Sequence, residues 1–125
     1  MRALQEWVKD NPKVQLWAAR LSRKSEQTSQ VFVGTLYNYW TRKVSKEFKT
    51  LESWTTFIRE QAKDEDNDVR VTWGRDLESW LLGYVSDKTG RNLTDTAKAT
   101  AFAAVKNWLI YRLTRASASL PTRLG

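Results

Sequence analysis

The side chains able to do chemistry gather in two polar stretches, RLSRKSEQTSQ at residues 20–30 and KTGRNLTDTAKAT at residues 88–100. Each sets Lys and Arg beside Ser, Thr, Asn and Gln, then runs into apolar residues at helical spacing. One hydroxyl is enough for an N-cap, Ser25 in the first stretch and Thr94 in the second, so the other donors and acceptors need another purpose. A helix start offers unpaired N–H groups and the positive end of its dipole, which suits phosphate oxygens, and Lys and Arg add charge. Gln, Asn and Thr in a first turn can also reach base edges. The chemistry expected is recognition of double-stranded DNA. Lys24, Gln27, Thr28, Gln30, Arg91, Asn92, Thr96, Lys98 and Thr100 are the expected groove contacts, with Arg20, Arg23, Arg112 and Arg115 as phosphate clamps.

Catalysis fits the composition poorly. The 125 residues include no Cys and no His, which removes thiolate and imidazole metal sites, disulfides, Cys nucleophiles and His-based proton transfer. Asp76 and Glu78 are a candidate carboxylate pair, but two residues apart on a helix they point in different directions. The sequence holds no nucleophile elbow, Gly-rich phosphate loop or zincin pattern. DEDND at 64–68 lacks the Gly and distal Glu of a calcium loop and reads as a solvated acidic segment. The tyrosines of YNYW at 37–40 fall on an apolar face and read as core. No cofactor and no enzymatic activity are expected of this chain.

Net charge is +7, and it is unevenly placed. Residues 1–24 carry +4 and residues 81–125 carry +5, while 25–62 carry +1 and 63–80 carry −3. If the fold brings the two ends together, they form one basic face, the electrostatic footprint of a polyanion binder. No apolar run resembles a signal peptide or a membrane span, so an intracellular, cytoplasmic chain without a membrane partner is expected.

The elements that must position these residues are helices. Period-3.6 patterns recur and alternation never persists, which predicts an all-α fold, a compact bundle of four to five helices. Asn11 caps the first expected helix with Pro12 at its first position, and Val14, Trp17, Ala18 and Leu21 face inward. Ser25 opens the next, with Phe32, Leu36, Tyr39 and Trp40 inward and Gly34 allowing a close crossing. Thr50 opens a third, with Leu51, Trp54, Phe57 and Ile58 inward, and 63–70 follows as a loop. Thr72 opens a fourth, with Trp73, Leu77, Trp80, Leu81 and Tyr84 inward and Gly90 as its stop. Thr94 opens the longest, with Ala97, Ala101, Val105, Trp108 and Leu109 as its stripe, widened by Phe102. Trp7 is the least secure of the core aromatics. SASLPTRLG has the composition of a linker, giving a helical domain over 1–117 and a connector over 118–125.

The order of these elements resembles the core-binding domain of tyrosine recombinases, the phage integrases. LSRKSEQTSQVFVGTLYNYW is similar to the family's opening motif, with Thr28, Phe32, Leu36 and Trp40 at its four-residue steps, although the family commonly has Tyr where Phe32 stands. DLESWLLGYVSDKTGRNLTDTAKATAFAAVKNWLIYRL resembles the closing half, FKTLESWTTFIREQ looks most like an extra helix of the archaeal integrases, and LPTRLG is similar to the linker toward a catalytic domain. The resemblance covers roughly residues 12–125 and implies a SAM-like domain forming half of a clamp on duplex DNA at a recombination half-site. It further implies that the isolated domain is a monomer, that the parent assembles as an oligomer on DNA, and that the strand-exchange residues lie outside this chain. A helical protein–protein module and an RNA-binding domain are the rival readings.

Overall fold

The computed structural model describes residues 2–83 and 94–118, with the backbone alone for Arg2 and for residues 113–118. Its elements are α1 (Arg2–Asp10), α2 (Pro12–Ser22), α3 (Glu26–Arg42), a 3-10 turn at Val44–Lys46, α4 (Leu51–Ala62), α5 (Asn67–Arg70), α6 (Thr72–Leu82) and α7 (Asp95–Ala118). The fold is all-α, and no strand occurs among the described residues. None of the described helices is long and apolar enough to cross a membrane. Tyr84, Gly90, Arg91, Asn92 and the tail after Ala118 lie outside the described residues, and the connector expected from residue 118 begins inside α7.

The α3 and α7 helices form the centre, and α1, α2, α4 and α6 pack on them. Trp17 of α2 meets Trp108 of α7 edge-on at 5.3 Å, and Trp108 Nε1 donates to the buried Thr55 hydroxyl of α4 at 3.2 Å. One indole thus joins three helices while keeping its N–H satisfied, which a buried Trp requires. On the other flank, Tyr39 of α3 packs against Trp54 of α4 and Trp80 of α6, with centroids 6.0 and 5.0 Å apart. Leu36, Leu77, Val105 and Leu109 fill the space between, all at 2% exposure or less.

Several expected details are corrected. The chain begins with α1, a helix the Asn11–Pro12 break conceals. Leu4, Trp7 and Val8 make its inward stripe, and Trp7 packs on Tyr37 at 5.2 Å. Asn11 does not cap α2. Its amide instead donates to the Trp7 carbonyl, and Gln15 donates to Val8 and Lys9, so both side chains satisfy the carbonyls at the end of α1. A Cβ at Gly34 would meet nothing within 4 Å, so no helix crosses closely there. Phe57 is 46% exposed, and Thr55 takes the inward place because its hydroxyl binds both the Leu51 carbonyl and Trp108. The acidic segment contains one helical turn, α5, capped by Asp66, whose Oδ1 accepts from the Asp68 N–H at 2.8 Å. Thr72 is the first residue of α6, as expected, and its hydroxyl donates back to the Asp68 carbonyl. Ser25 and Thr50 do cap, through the N–H groups of Thr28 and Ser53, and Ser53 completes a capping box with Thr50.

Candidate nucleic-acid interface

The α2 and α3 helices are joined by only Arg23, Lys24 and Ser25. The turn is held by the Ser25 cap and by the buried Ser29 hydroxyl, which donates to the Ala18 carbonyl at 2.9 Å and ties the first turn of α3 to α2. Against this corner lies the C-terminal half of α7. Trp17 Nε1 donates to Asn107 Oδ1 at 2.8 Å, and the Arg20 guanidinium sits 5.7 Å from the Tyr111 ring centroid. The three helices leave a groove of about 420 Å³. Its rim carries Arg20, Lys24, Ser25, Thr28 and Asn107, and its floor and walls are Trp17, Leu21, Phe32, Ile110 and Tyr111.

No carboxylate lines this groove, and neither Arg20 nor Lys24 has an ion-pair partner among the described residues. Both are exposed, as are Arg23, Gln27 and Gln30. Unpaired cations beside a helix start make a local positive potential that the total charge alone would not locate.

The two polar helix starts do not come together. The first turns of α3 lie against Asn107, Ile110 and Tyr111. Its last turns lie beside α6, whose Trp73 stacks on Phe102 of α7 at 5.6 Å. The α3 and α7 helices are therefore antiparallel. Lys98 and Ile110 are separated by about 18 Å of helix axis, so the two starts are separate places on the surface rather than one cluster. Thr94 caps α7 through the Ala97 N–H, and the Thr100 hydroxyl donates to the Thr96 carbonyl, leaving Thr96 as the exposed hydroxyl of that start.

Helical phase sorts the rest. Thr96, Ala103, Asn107 and Ile110 recur on one side of α7, with Thr96, Ala103 and Ile110 exposed, and this stripe leads from the start of α7 to the groove. Lys98, two residues after Thr96, points away from that stripe. For the same reason Gln30 faces away from Thr28, and Gln27 lies on the flank between them. Arg112 is corrected outright as a phosphate clamp. It is 7% exposed, ion-paired to Glu52 of α4 and placed 5.5 Å from the Trp108 ring, so its charge already has a partner inside the protein. Burial opposes the Glu52 carboxylate, yet hydrogen bonding and charge from Arg112, with Lys13 beyond, hold its carboxyl below 4.5. The side chain of Arg115 lies outside the described residues, as do Arg91 and Asn92.

The groove adds Asn107, Ile110 and Tyr111, which the polar pattern alone did not single out. Asn107 has a signal in retrospect, an amide among the apolar residues Val105, Trp108 and Leu109 and three helical turns after Thr96. No protein-family model, curated protein or solved structure matches this chain.

Proposed function

We propose that this chain is a duplex-DNA-binding module, of the kind its sequence resembles in the core-binding domains of tyrosine recombinases. It grips the phosphate backbone at the α2–α3–α7 corner and lays the duplex along the outer stripe of α7. The observation that carries this reading is the groove rim, with two exposed cations lacking ion-pair partners among the described residues, a hydroxyl pair at the start of a 17-residue helix and no lining carboxylate. Arg20, Lys24 and Arg23 meet phosphates, while Thr28, Gln27 and Thr96 are placed to approach the duplex surface. The exposed alanines 99 and 103 between Thr96 and the groove let a backbone come close to α7. The chain itself performs no strand cleavage. In a parent recombinase that step and the second half of the clamp belong to another domain, so affinity for DNA by this module alone is modest.

Fluorescence anisotropy with duplex DNA, duplex RNA and single-stranded RNA, each titrated over a range of salt, tests the proposal. Duplex DNA should bind best, with log K falling linearly as log salt rises. Arg20→Ala and Lys24→Ala should each flatten that slope by about one unit, and Gln30→Ala should leave it unchanged. Binding without salt dependence, or equal binding by Arg20→Ala, Lys24→Ala and the parent chain, would overturn the reading in favour of a protein partner. Preference for either RNA form would replace DNA with RNA.

A further inference from the structure

At the opposite end of α3 the chain builds a second hollow of different chemistry. The last turns of α3, the 3-10 turn, α4 and α6 enclose a cavity of about 230 Å³. Its walls are aromatic, from Tyr39, Trp54, Phe57 and Trp73, and its polar groups include Glu47, Gln61 and Asp76. Lys43, the lysine that reaches it, is already paired with Glu47 at 3.7 Å. Asp76 is exposed and has no ion pair among the described residues. Gln61 Oε1 is buried with no donor to meet it, an arrangement that calls for a missing partner. Burial pushes the Tyr39 phenol well above its usual range, and the Asp76 and then the Glu47 carboxylates push it further, so a negative potential reaches the cavity floor.

The unsatisfied groups are thus hydrogen-bond acceptors, one charged and one neutral, and the walls are π faces. Acceptors and π faces together select a cation that can both stack and donate. A guanidinium meets all three demands. It is planar, weakly hydrated for an ion, and carries five donors in a fixed fork, whereas an ammonium is compact and strongly hydrated. We propose that this cavity binds a guanidinium group, stacked among Tyr39, Phe57 and Trp73 and donating to the Gln61 carbonyl and the Asp76 carboxylate. Its alkyl stem leaves past Trp80 into the adjoining open depression, which shares Lys43, Glu47 and Asp76 with the cavity and is rimmed by Arg42 and Lys46. Those rim cations set the stem's chemistry, since a second positive charge there is disfavoured and a neutral or anionic continuation is tolerated. The ligand is therefore an arginine side chain of a partner polypeptide or free arginine. The site stands independently of the DNA reading, because none of its residues lines the basic groove.

Titration of the full chain followed by NMR, reading the Gln61 side-chain amide and the Trp73 indole N–H, tests this. The probes are Nα-acetyl-arginine amide for a polypeptide side chain, free arginine, the lysine counterpart of the first probe, and urea as a neutral planar control. Either arginine probe should shift both resonances along a saturable curve, while the Trp17 indole in the basic groove stays still. Preference for the blocked amide identifies a polypeptide partner, and preference for the free amino acid identifies a small-molecule ligand. Asp76→Asn and Gln61→Leu should each weaken binding by about tenfold, and the lysine probe should bind at least about fivefold more weakly. Asp76 is exposed, so its replacement should leave the fold intact and the comparison usable. Absence of saturable shifts, equal shifts with urea, or undiminished binding by Asp76→Asn would overturn the proposal and leave a cavity whose Gln61 carbonyl is met by water.

Discussion

The two hollows at the ends of α3 share a construction and differ in sign. Both have aromatic walls, Trp17, Phe32 and Tyr111 in one and Tyr39, Trp54 and Trp73 in the other, and both reach solvent through polar rims. In the first, the charges without partners are cations, Arg20 and Lys24. In the second, Lys43 is held by Glu47 and the charge without a partner is the Asp76 carboxylate. A chain with net charge +7 therefore presents one hollow with residual positive charge and one with residual negative charge. Residual local charge, after internal pairing, decides what each can bind. Arg112 makes the same point from inside the protein, because a cation enclosed with Glu52 and Trp108 holds helices together and is lost to ligands.

The harshest way to break the comparison is through the residue that underlies both hollows. Trp108 is fully buried between Trp17, which floors the basic groove, and Thr55 of α4, which also lines the acidic cavity through Trp54 and Ile58. Trp108→Ala should cost about 3–5 kcal/mol in urea denaturation and degrade both sites together. Full stability with one site intact would show that the two do not share a core.

Reversing the charge of one rim comes next. Arg20→Glu combined with Lys24→Glu should weaken duplex binding by about a hundredfold at low salt and flatten the salt slope by about two units. Both positions are exposed, so urea stability should be unchanged and arginine binding at the far cavity unaffected.

Glu52→Gln probes the paired class of charge. The half-exposed carboxylate limits the loss, so about 1–2 kcal/mol of stability is expected, arising mainly from the enclosed Arg112 left without an anion. The pH dependence has a definite sign. A carboxyl whose folded pKa lies below its unfolded value of 4.5 contributes stability that is fully present above about pH 4.5 and fades as pH falls through the folded value. The parent chain should therefore lose that increment on acidification, and Glu52→Gln should lack it at every pH. An unchanged acid limb in thermal melts of the variant would dismiss the pair as a stabilising element.

The smallest effect sharpens the independence of the two ends. Asp76→Asn, expected to weaken arginine binding, should alter duplex affinity by less than about twofold, because the antiparallel packing sets it at the end of α3 remote from the groove. A larger change in anisotropy titrations would mean that the two hollows communicate.

The sequence by itself determined the fold class, most of the helices and most of their inward faces. Those properties follow from local rules: Ser25, Thr50 and Thr94 cap because short hydroxyls satisfy free N–H groups, and Leu36, Leu77 and Val105 turn inward because their spacing matches the helical repeat. The α1 helix had the same stripe at Leu4, Trp7 and Val8, but Asn and Pro in succession read as a start for α2, when Asn11 in fact closes the helix before it. Local pattern also found the groups of polar residues without showing which could act together. Only the tertiary structure decided that α3 and α7 run antiparallel and set the two polar starts about 18 Å apart. It alone brought Asn107 to Trp17, enclosed Arg112 with Glu52, and left Asp76 facing aromatic walls. Capping and burial periodicity act over a few residues, so neighbours in sequence encode them. Whether a charge is free or already paired depends on residues 60 positions away, as Glu52 is from Arg112, and the linear sequence holds no local trace of that distance.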